Sequence, residues 1–402
     1  MKRTARFYSF LVAAFLFWTF ANQTQIGWLY VVSAVLGGAL FTAWLLNRGV
    51  LKKLNAQREL SVRTGEALHE GDDLAITLTI ENSGQLPAAH LALIETNPLA
   101  DPNSDAHEAG MFVPLLPNKA QFTYHVDVYR RGVHHFPDMQ TRSRAPFGFY
   151  ERQSTLAVPT DVLVYPEVRK LTRLALLDEQ PAAELTNPNA GMGSEVIGVR
   201  PYRPGDSPRH IHWRSVARLG NLVSKEFAQE TRPGVTVVLD RYVPHPVPES
   251  KHQPFEIAIK CAVSIAEYAM RNGYPVHIVA DQDDMASPQG ALVWDALMQY
   301  TARVTPTDSN TLADVLGHYP MQQYVAIAVS TPDDSLLEAI VALKHRGYNV
   351  LVVIPDPASY PIDSDLSADG FVGALERQNI VTRLIKHGDD WASVISNEDD
   401  YE

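Results

Sequence analysis

Two uncharged apolar runs, FYSFLVAAFLFWTFA (Phe7–Ala21) and IGWLYVVSAVLGGALFTAWLL (Ile26–Leu46), follow one another with only NQTQ between them. A water-soluble domain has no place for so much contiguous apolar surface, so this feature limits the folds open to the first fifty residues. A helix rises 1.5 Å per residue, so the second run reaches across a hydrocarbon core of ~30 Å, and the first does so when its flanking residues join it. We read residues 1–50 as a transmembrane helical hairpin. Lys2, Arg3 and Arg6 precede it, Arg48, Lys52, Lys53 and Arg58 follow it, and the connecting loop is uncharged. The positive-inside rule then places both ends, and the chain that follows, in the cytoplasm. A second reading takes the first run as a signal-peptide core cleaved near Ala21, and there too the basic flank keeps the rest cytoplasmic.

Residues 51–165 read as a β-sandwich, with a periodicity of two from about residue 58. LAITLTIEN sets Leu74, Ile76, Leu78 and Ile80 against Thr77, Thr79 and Glu81, and QFTYHVDVY does the same with Phe122, Tyr124, Val126 and Val128. Each run buries one face of a sheet, and NSGQLP, NPLADPN and LPNKA supply turns at the spacing of a small antiparallel sandwich. His134 and His135 are adjacent, so on a strand they point to opposite faces and do not chelate one ion together.

After Gly234 the pattern changes. VTVVLD, PVHIVAD, YVAIAVS and NVLVVIPD are short, continuous apolar runs ending in polar residues, as buried parallel strands do. Between them, Phe255, Ile259, Ala262, Val263, Ala266 and Met270 recur at helical spacing up to Gly273. Alternation of this kind predicts a doubly wound α/β domain over 234–390, followed by a solvated acidic tail over 391–402 that ends SNEDDYE. Asp240, Asp281, Ser330 and Asp356 end strands and collect at the carboxyl edge of such a sheet, where ligands bind, although strand-end acids also cap the helices that follow.

The stretch PYRPGDSPRHIHWRSVARLG (201–220), within an irregular segment over 166–233, goes against the rest of the chain. Counting from Arg200 to Arg218 it holds five arginines and two histidines around one acid, Asp206, in a protein of net charge -12. That net charge argues against a nucleic-acid partner. Pro204-Gly205-Asp206 reads as a turn, Ser207-Pro208 as a helix start, and Gly220 as the stop of a helix from Pro208 to about Arg218. On that helix His210, Arg214 and Arg218 share a face at steps of four, and Arg209 can lie on the indole of Trp213. Three roles remain open. The arginines, with Arg200, Arg203, Asp206 and Trp213, brace a junction; or Arg209, His210, Arg214 and Arg218 receive an anion or an acidic partner; or His210 or His212 serves as a general base. No Ser or Cys nucleophile motif and no phosphate-binding loop accompanies the histidines. The lone cysteine, Cys261, forms no internal disulfide and builds no zinc site; it reads as a small core residue.

GMGSEVIGVRPYRPGDSPRHIHWRSVARLGNLVSKEFAQE (Gly191–Glu230), with RRGVHHFPDMQTRSRAPFGFYE and VLVYPEV before it, closely resembles the signature of the domain-of-unknown-function fifty-eight family. The resemblance implies a bacterial inner (cytoplasmic) membrane protein, multi-pass, with an N-terminal transmembrane hairpin, an all-β immunoglobulin-like sandwich, and an α/β doubly wound von Willebrand factor A-like domain. It implies company with MoxR-type AAA+ ATPases and transglutaminase-like membrane proteins, and no enzymatic activity. A metal-binding A domain carries Asp-x-Ser-x-Ser after its first strand; here Asp240 is followed by Arg241, Tyr242, Val243 and Pro244. Two hydroxyl ligands are gone, so we expect Asp240 to be a degenerate metal position, with no metal and no cofactor. The expected function is a non-enzymatic, membrane-anchored adaptor or scaffold working with the ATPase on a membrane or envelope complex. The alternative is an enzyme or sensor that takes a phosphorylated small molecule on the Arg/His stripe, and contact of the stripe with anionic lipid is a further option.

Overall fold

The computed structural model describes residues 2–47, 50–62, 67–85, 87–178, 187–203, 206–229, 234–244, 250–280, 283–286, 291–309, 312–318, 321–361 and 367–397. Arg48, the Pro204-Gly205 turn, Asp281 and the acids of the last five residues lie outside them. The chain divides into two units, Met1–Glu167 and Val168–Glu402.

The first unit begins with β1 (Lys2–Arg3) and two helices, α1 (Ala5–Thr24) and α2 (Gly27–Leu46). The helices pair along their length, with Ser33 Oγ donating to the Ala14 carbonyl at 2.9 Å. They leave Phe15, Trp18, Phe20, Trp28, Val31 and Val35 exposed. Among the described residues one helical stretch, beginning at Gly27, is long and apolar enough to cross a membrane, where two spans are read from the sequence. The difference lies in α1, whose apolar residues are interrupted by Arg6, Ser9, Thr19, Asn22 and Gln23.

Nine further strands follow: β2 (Leu54–Val62), β3 (Asp73–Asn82), β4 (Ala88–Thr96), β5 (Glu108–Leu116), β6 (Lys119–Asp127), β7 (Gly132–Phe136), β8 (Met139–Ser143), β9 (Tyr150–Leu156) and β10 (Thr160–Val164). They form antiparallel sheets in the orders β1-β9-β8-β4-β5, β2-β3-β6 and β10-β7. The inward residues of the first two, among them Leu78 and Ile80 from one and Leu91, Leu93 and Met139 from the other, share one apolar layer. Period-two alternation has this cause: one face of each strand is buried and the other is wet. His134 and His135 take opposite faces, His134 bonding the Arg130 carbonyl at 2.9 Å and His135 the Asp161 carboxylate at 2.7 Å. The helical hairpin is sewn to this unit. Lys2 and Arg3 pair with Glu151 and Tyr150 of β9, and Phe7, Leu40 and Ala43 are buried with Phe149 and Tyr150. Cleavage near Ala21 would therefore strip a strand from the sheet.

One charged group of the hairpin's basic flank belongs elsewhere. Arg58 is a core residue of β2, its side chain fully buried against Glu95 of β4 at 2.6 Å, and its guanidinium carbon stands 4.2 Å from the Phe136 ring centroid. Its Nη1 donates to the Val158 carbonyl at 2.8 Å and to Thr160 Oγ1 at 2.9 Å, while Tyr124 Oη donates to the second Glu95 oxygen at 2.8 Å. Burial, reinforced by the Glu95 carboxylate, pushes the Tyr124 phenol well up, so it remains a donor.

The second unit runs α3 (Ala175–Asp178), β11 (Asn187–Pro201), α4 (Trp213–Leu219), β12 (Val223–Gln229), β13 (Val235–Leu239), α5 (Pro254–Arg271), β14 (Val276–Ala280), β15 (Asp283–Ala286), α6 (Ala291–Arg303), α7 (Leu312–His318), β16 (Tyr324–Ala328), α8 (Asp334–His345), β17 (Asn349–Pro355), α9 (Asp369–Glu376), β18 (Val381–Ile385) and α10 (Trp391–Ser396). Its main sheet has the order β15-β14-β13-β16-β17-β18, parallel throughout except for the antiparallel edge strand β15. Helix α5 covers one side of β13, β16 and β17, and α7, α8 and α9 contribute Leu312, Leu336, Ile340 and Phe371 to the core on the other. Covered faces explain the continuous apolar runs, each buried Val, Leu or Ile contributing ~1.5–3 kcal/mol. Cys261 lies fully buried on α5, where burial pushes its thiol far up. The solvated tail read from residue 391 starts later, because α10 buries Trp391 and Ile395.

Candidate functional site

The basic stretch occupies the loop of an antiparallel hairpin. β11 and β12 pair with Val199 opposite Lys225, Arg200 opposite Ser224 and Pro201 opposite Val223, and Tyr202 N–H closes the loop on the Leu222 carbonyl at 3.0 Å. Asp206 is its anchor. The Arg200 guanidinium grips it with a fork, Nη1 and Nη2 at 2.9 and 2.7 Å, and the Arg203 backbone N–H adds a bond of 2.9 Å. These donors, the Arg200 fork first, lower the Asp206 carboxyl from 3.8 to about 2. A depressed carboxyl stays charged until the pH falls through its folded value, so the clip is complete above the ordinary carboxylate range and is lost only near pH 2. A titration of the Arg203 amide shift is expected to find its midpoint near 2; a midpoint near 3.8 would mean that Arg200 does not hold the carboxylate.

The single helix over Pro208–Arg218 does not form. Pro208–His210 make one 3-10 turn, Ile211 then turns extended (φ -66, ψ 129), and α4 opens only at Trp213, closing at Gly220 with φ 72. Ile211 bridges to Ser224 of β12 and is buried. Burying an isoleucine is worth ~1.5–3 kcal/mol against ~1 kcal/mol net for a helical hydrogen bond, so the break wins. It removes His210 from the face shared by Arg214 and Arg218, and it removes the step of four that would lay Arg209 on Trp213. Ser207 precedes the turn without a side-chain capping bond.

What remains is an exposed cationic surface with apolar neighbours. Arg209, Arg214 and Arg218 are exposed, and among the described residues none of the three makes an ion pair. Trp213 is 64% exposed, and Leu222 and Val199 stand open nearby in the chain. Arg214 and Arg218, four apart on α4, repel by ~0.2–0.5 kcal/mol, so an anion placed between them is favoured. His212, half-buried at the head of α4, bonds Ser215 Oγ at 2.7 Å through Nδ1. This is a contact within the helix start; no carboxylate orients the ring among the described residues, as a nucleophile-base pair requires.

The carboxyl edge of the main sheet is built for a different purpose. Asp240 is 1% exposed. Its carboxylate accepts the backbone N–H of Tyr242 on one oxygen at 3.0 Å and those of Ser330 and Thr331 on the other at 3.0 and 3.3 Å. Ser330 Oγ is turned to the Asp240 carbonyl at 2.5 Å. Both carboxylate oxygens face donors, and Tyr242 and Pro244 stand where hydroxyl ligands would be needed, so this residue set does not fit a divalent cation. Asp356 caps as well, taking the N–H of Ala358 and of Ala368 at 3.3 and 3.1 Å. Arg241 aims Nε at the Thr305 carbonyl at 3.0 Å.

A loop of this composition between β11 and β12, leading into β13, invites comparison with known proteins. The family described as "Protein of unknown function DUF58" matches residues 198–366. The matched span begins in β11 just before the basic loop and runs past β17. The "Uncharacterized protein YeaD" of Bacillus subtilis (strain 168) is 23% identical over 236 residues, 58% of this chain and 56% of the relative, so the chain spans about half of that relative's length. Neither description states an activity. Among solved structures, a Northeast Structural Genomics Consortium target is 14% identical over 28% of this chain and 87% of its own, with a TM-score of 0.18. A GH20 exo beta-N-acetylglucosaminidase from Vibrio harveyi is 10% identical over 75% of this chain and 57% of its own, with a TM-score of 0.20. Both scores are too low to bear on fold or chemistry.

Proposed function

We propose that this chain is a non-enzymatic adaptor or scaffold, anchored in the bacterial inner membrane by both N-terminal helices, with its soluble units in the cytoplasm. Its first unit is read as an immunoglobulin-like sandwich and its second as a von Willebrand factor A-like domain, a reading supported by two antiparallel sheets over one apolar layer and by the doubly wound strand order. The partner is a MoxR-type AAA+ ATPase, acting beside a transglutaminase-like membrane protein in assembling or maturing an envelope complex. One observation carries the proposal: Arg209, Arg214 and Arg218 stand exposed and, among the described residues, without ion pairs, on the same loop as the exposed Trp213, which Arg200 and Asp206 clip in place. Arginine and tryptophan together are the residues that carry interface energy, and their charge calls for an acidic partner surface.

Native capture from membranes with mass spectrometry tests this, comparing wild type with Arg214→Glu/Arg218→Glu. Both side chains are exposed, so the variant is expected to fold. An ATPase should accompany the wild type and fall at least about tenfold in the variant, because like charges across an interface cost several kcal/mol. A folded variant that keeps every partner defeats the proposal.

A further inference from the structure

We propose that the loop joining β8 to β9, Arg144–Phe149, is a second contact with the membrane, in which Phe147 enters the boundary between headgroups and acyl chains while Lys2, Arg3 and Arg6 meet anionic headgroups. The inference rests on the membrane-spanning reading of the helical hairpin and extends it to the sheet unit.

Phe147 is 53% exposed, an uncommon position for phenylalanine on a water-facing turn. Its ring centroid lies 5.7 Å from that of Phe149, which lies 4.6 Å from that of Phe10 on α1. Phe10 is the sixth residue of α1, roughly 8 Å along the helix axis from its start. A 20-residue helix is about as long as a hydrocarbon core is thick, so its first turns stand in the interfacial zone where aromatic side chains collect. Phe147 is brought to that level. Apolar surface continues from it along α1 through Phe10 to the exposed Leu11.

The loop is held rather than left loose. Thr4 Oγ1 donates to the Gly148 carbonyl at 2.7 Å, Thr4 N–H to the Phe149 carbonyl at 3.0 Å, and Gly148 N–H closes the turn on the Arg144 carbonyl at 2.8 Å. Gly148 has φ +74, and an added Cβ would sit 3.2 Å from Arg6 Nη1, so glycine is required here and Arg6 lies against the turn. The charges agree with a membrane surface. Lys2, Arg3 and Arg6 are exposed, and the nearby acid Glu151 is taken by Arg144 at 2.7 Å. In a chain of net charge -12 this base is cationic, the sign that an anionic leaflet attracts.

The test uses the full-length protein with Cys261→Ala and one new cysteine at a time, Phe147→Cys, Val35→Cys or Asn103→Cys, labelled with an environment-sensitive fluorophore. The labelled protein is reconstituted into phosphatidylcholine vesicles with or without phosphatidylglycerol. Val35, 64% exposed on α2, reports the hairpin, and Asn103, exposed in the loop between β4 and β5, reports water. The label at 147 should be quenched by doxyl-lipid and shielded from iodide severalfold relative to 103. Its lipid quenching should strengthen with phosphatidylglycerol, and Lys2→Gln/Arg3→Gln/Arg6→Gln should abolish that strengthening. If 35 is in lipid while 147 is open to iodide, the loop contact is wrong and the hairpin reading stands. If 35 is also open to iodide, the hairpin reading itself fails. A label at 147 shielded from both quenchers means that protein covers the loop, and indifference to phosphatidylglycerol removes the headgroup contact; either result overturns the proposal.

Discussion

Replacing Glu95 with alanine is expected to cost the first unit about 3–5 kcal/mol, because it strands the Arg58 guanidinium in the core. Both side chains are fully buried, and the pair is closed by the Val158 carbonyl, Thr160, Tyr124 and the Phe136 ring. The attraction between the two charges offsets their desolvation only while every partner is present. Removing one member therefore costs far more than an exposed pair, worth ~0–1 kcal/mol, would suggest. Hydrogen exchange of the β2, β4 and β6 amides in the full-length protein reads the loss directly, since those strands carry Arg58, Glu95 and Tyr124. The triple replacement Arg58→Met/Glu95→Leu/Tyr124→Phe is expected to recover most of it, as apolar residues of similar volume need no partners. If Glu95→Ala costs less than about 1 kcal/mol, water reaches the pair and it is an ordinary surface bridge.

The sequence carried a signal for this pair that period-two reading passes over. Arg58 shares its strand face with Leu54, Ala56, Leu60 and Val62, and Glu95 shares its face with Leu91 and Leu93. A charge on the inward phase of a strand is costly enough to require a partner, but alternation fixes only a residue's own face, and the partner lies 37 positions away. The four parallel strands β13, β14, β16 and β17 were legible for the opposite reason: continuous apolar runs need no knowledge of a partner. β15 (DDMA) and β18 (VTRLI) escaped because edge strands are not covered on both sides and carry no such run. In the basic loop, Gly220 and the Asp206 anchor follow from local chemistry. Local signals extend the helix too far, because the pull on Ile211 comes from Ser224, beyond the reach of any local rule.

At the carboxyl edge of the main sheet the decisive expectation concerns Asp240. Alanine there leaves the backbone N–H groups of Tyr242, Ser330 and Thr331 without their acceptor, in a place where Ser330 and Thr331 are 1% and 7% exposed. A buried donor left unsatisfied costs ~1–3 kcal/mol, so the loss of this acceptor for several of them should total about 3 kcal/mol or more. In a unit of this size that lowers the melting temperature by roughly 6–12 °C. Asp240→Asn keeps one acceptor oxygen but turns an amide N–H₂ toward the donors, so its cost should fall between wild type and alanine. Magnesium separates this capping role from a metal role. A resident cation at 100 times its dissociation constant adds ~2.7 kcal/mol to the folded state. A carboxylate already committed to backbone donors gains nothing from it, so the wild-type melting temperature should not move with magnesium. A rise with magnesium that disappears in Asp240→Ala would show that the carboxylate releases its backbone donors to take a metal, and the edge of the sheet would then be a binding site.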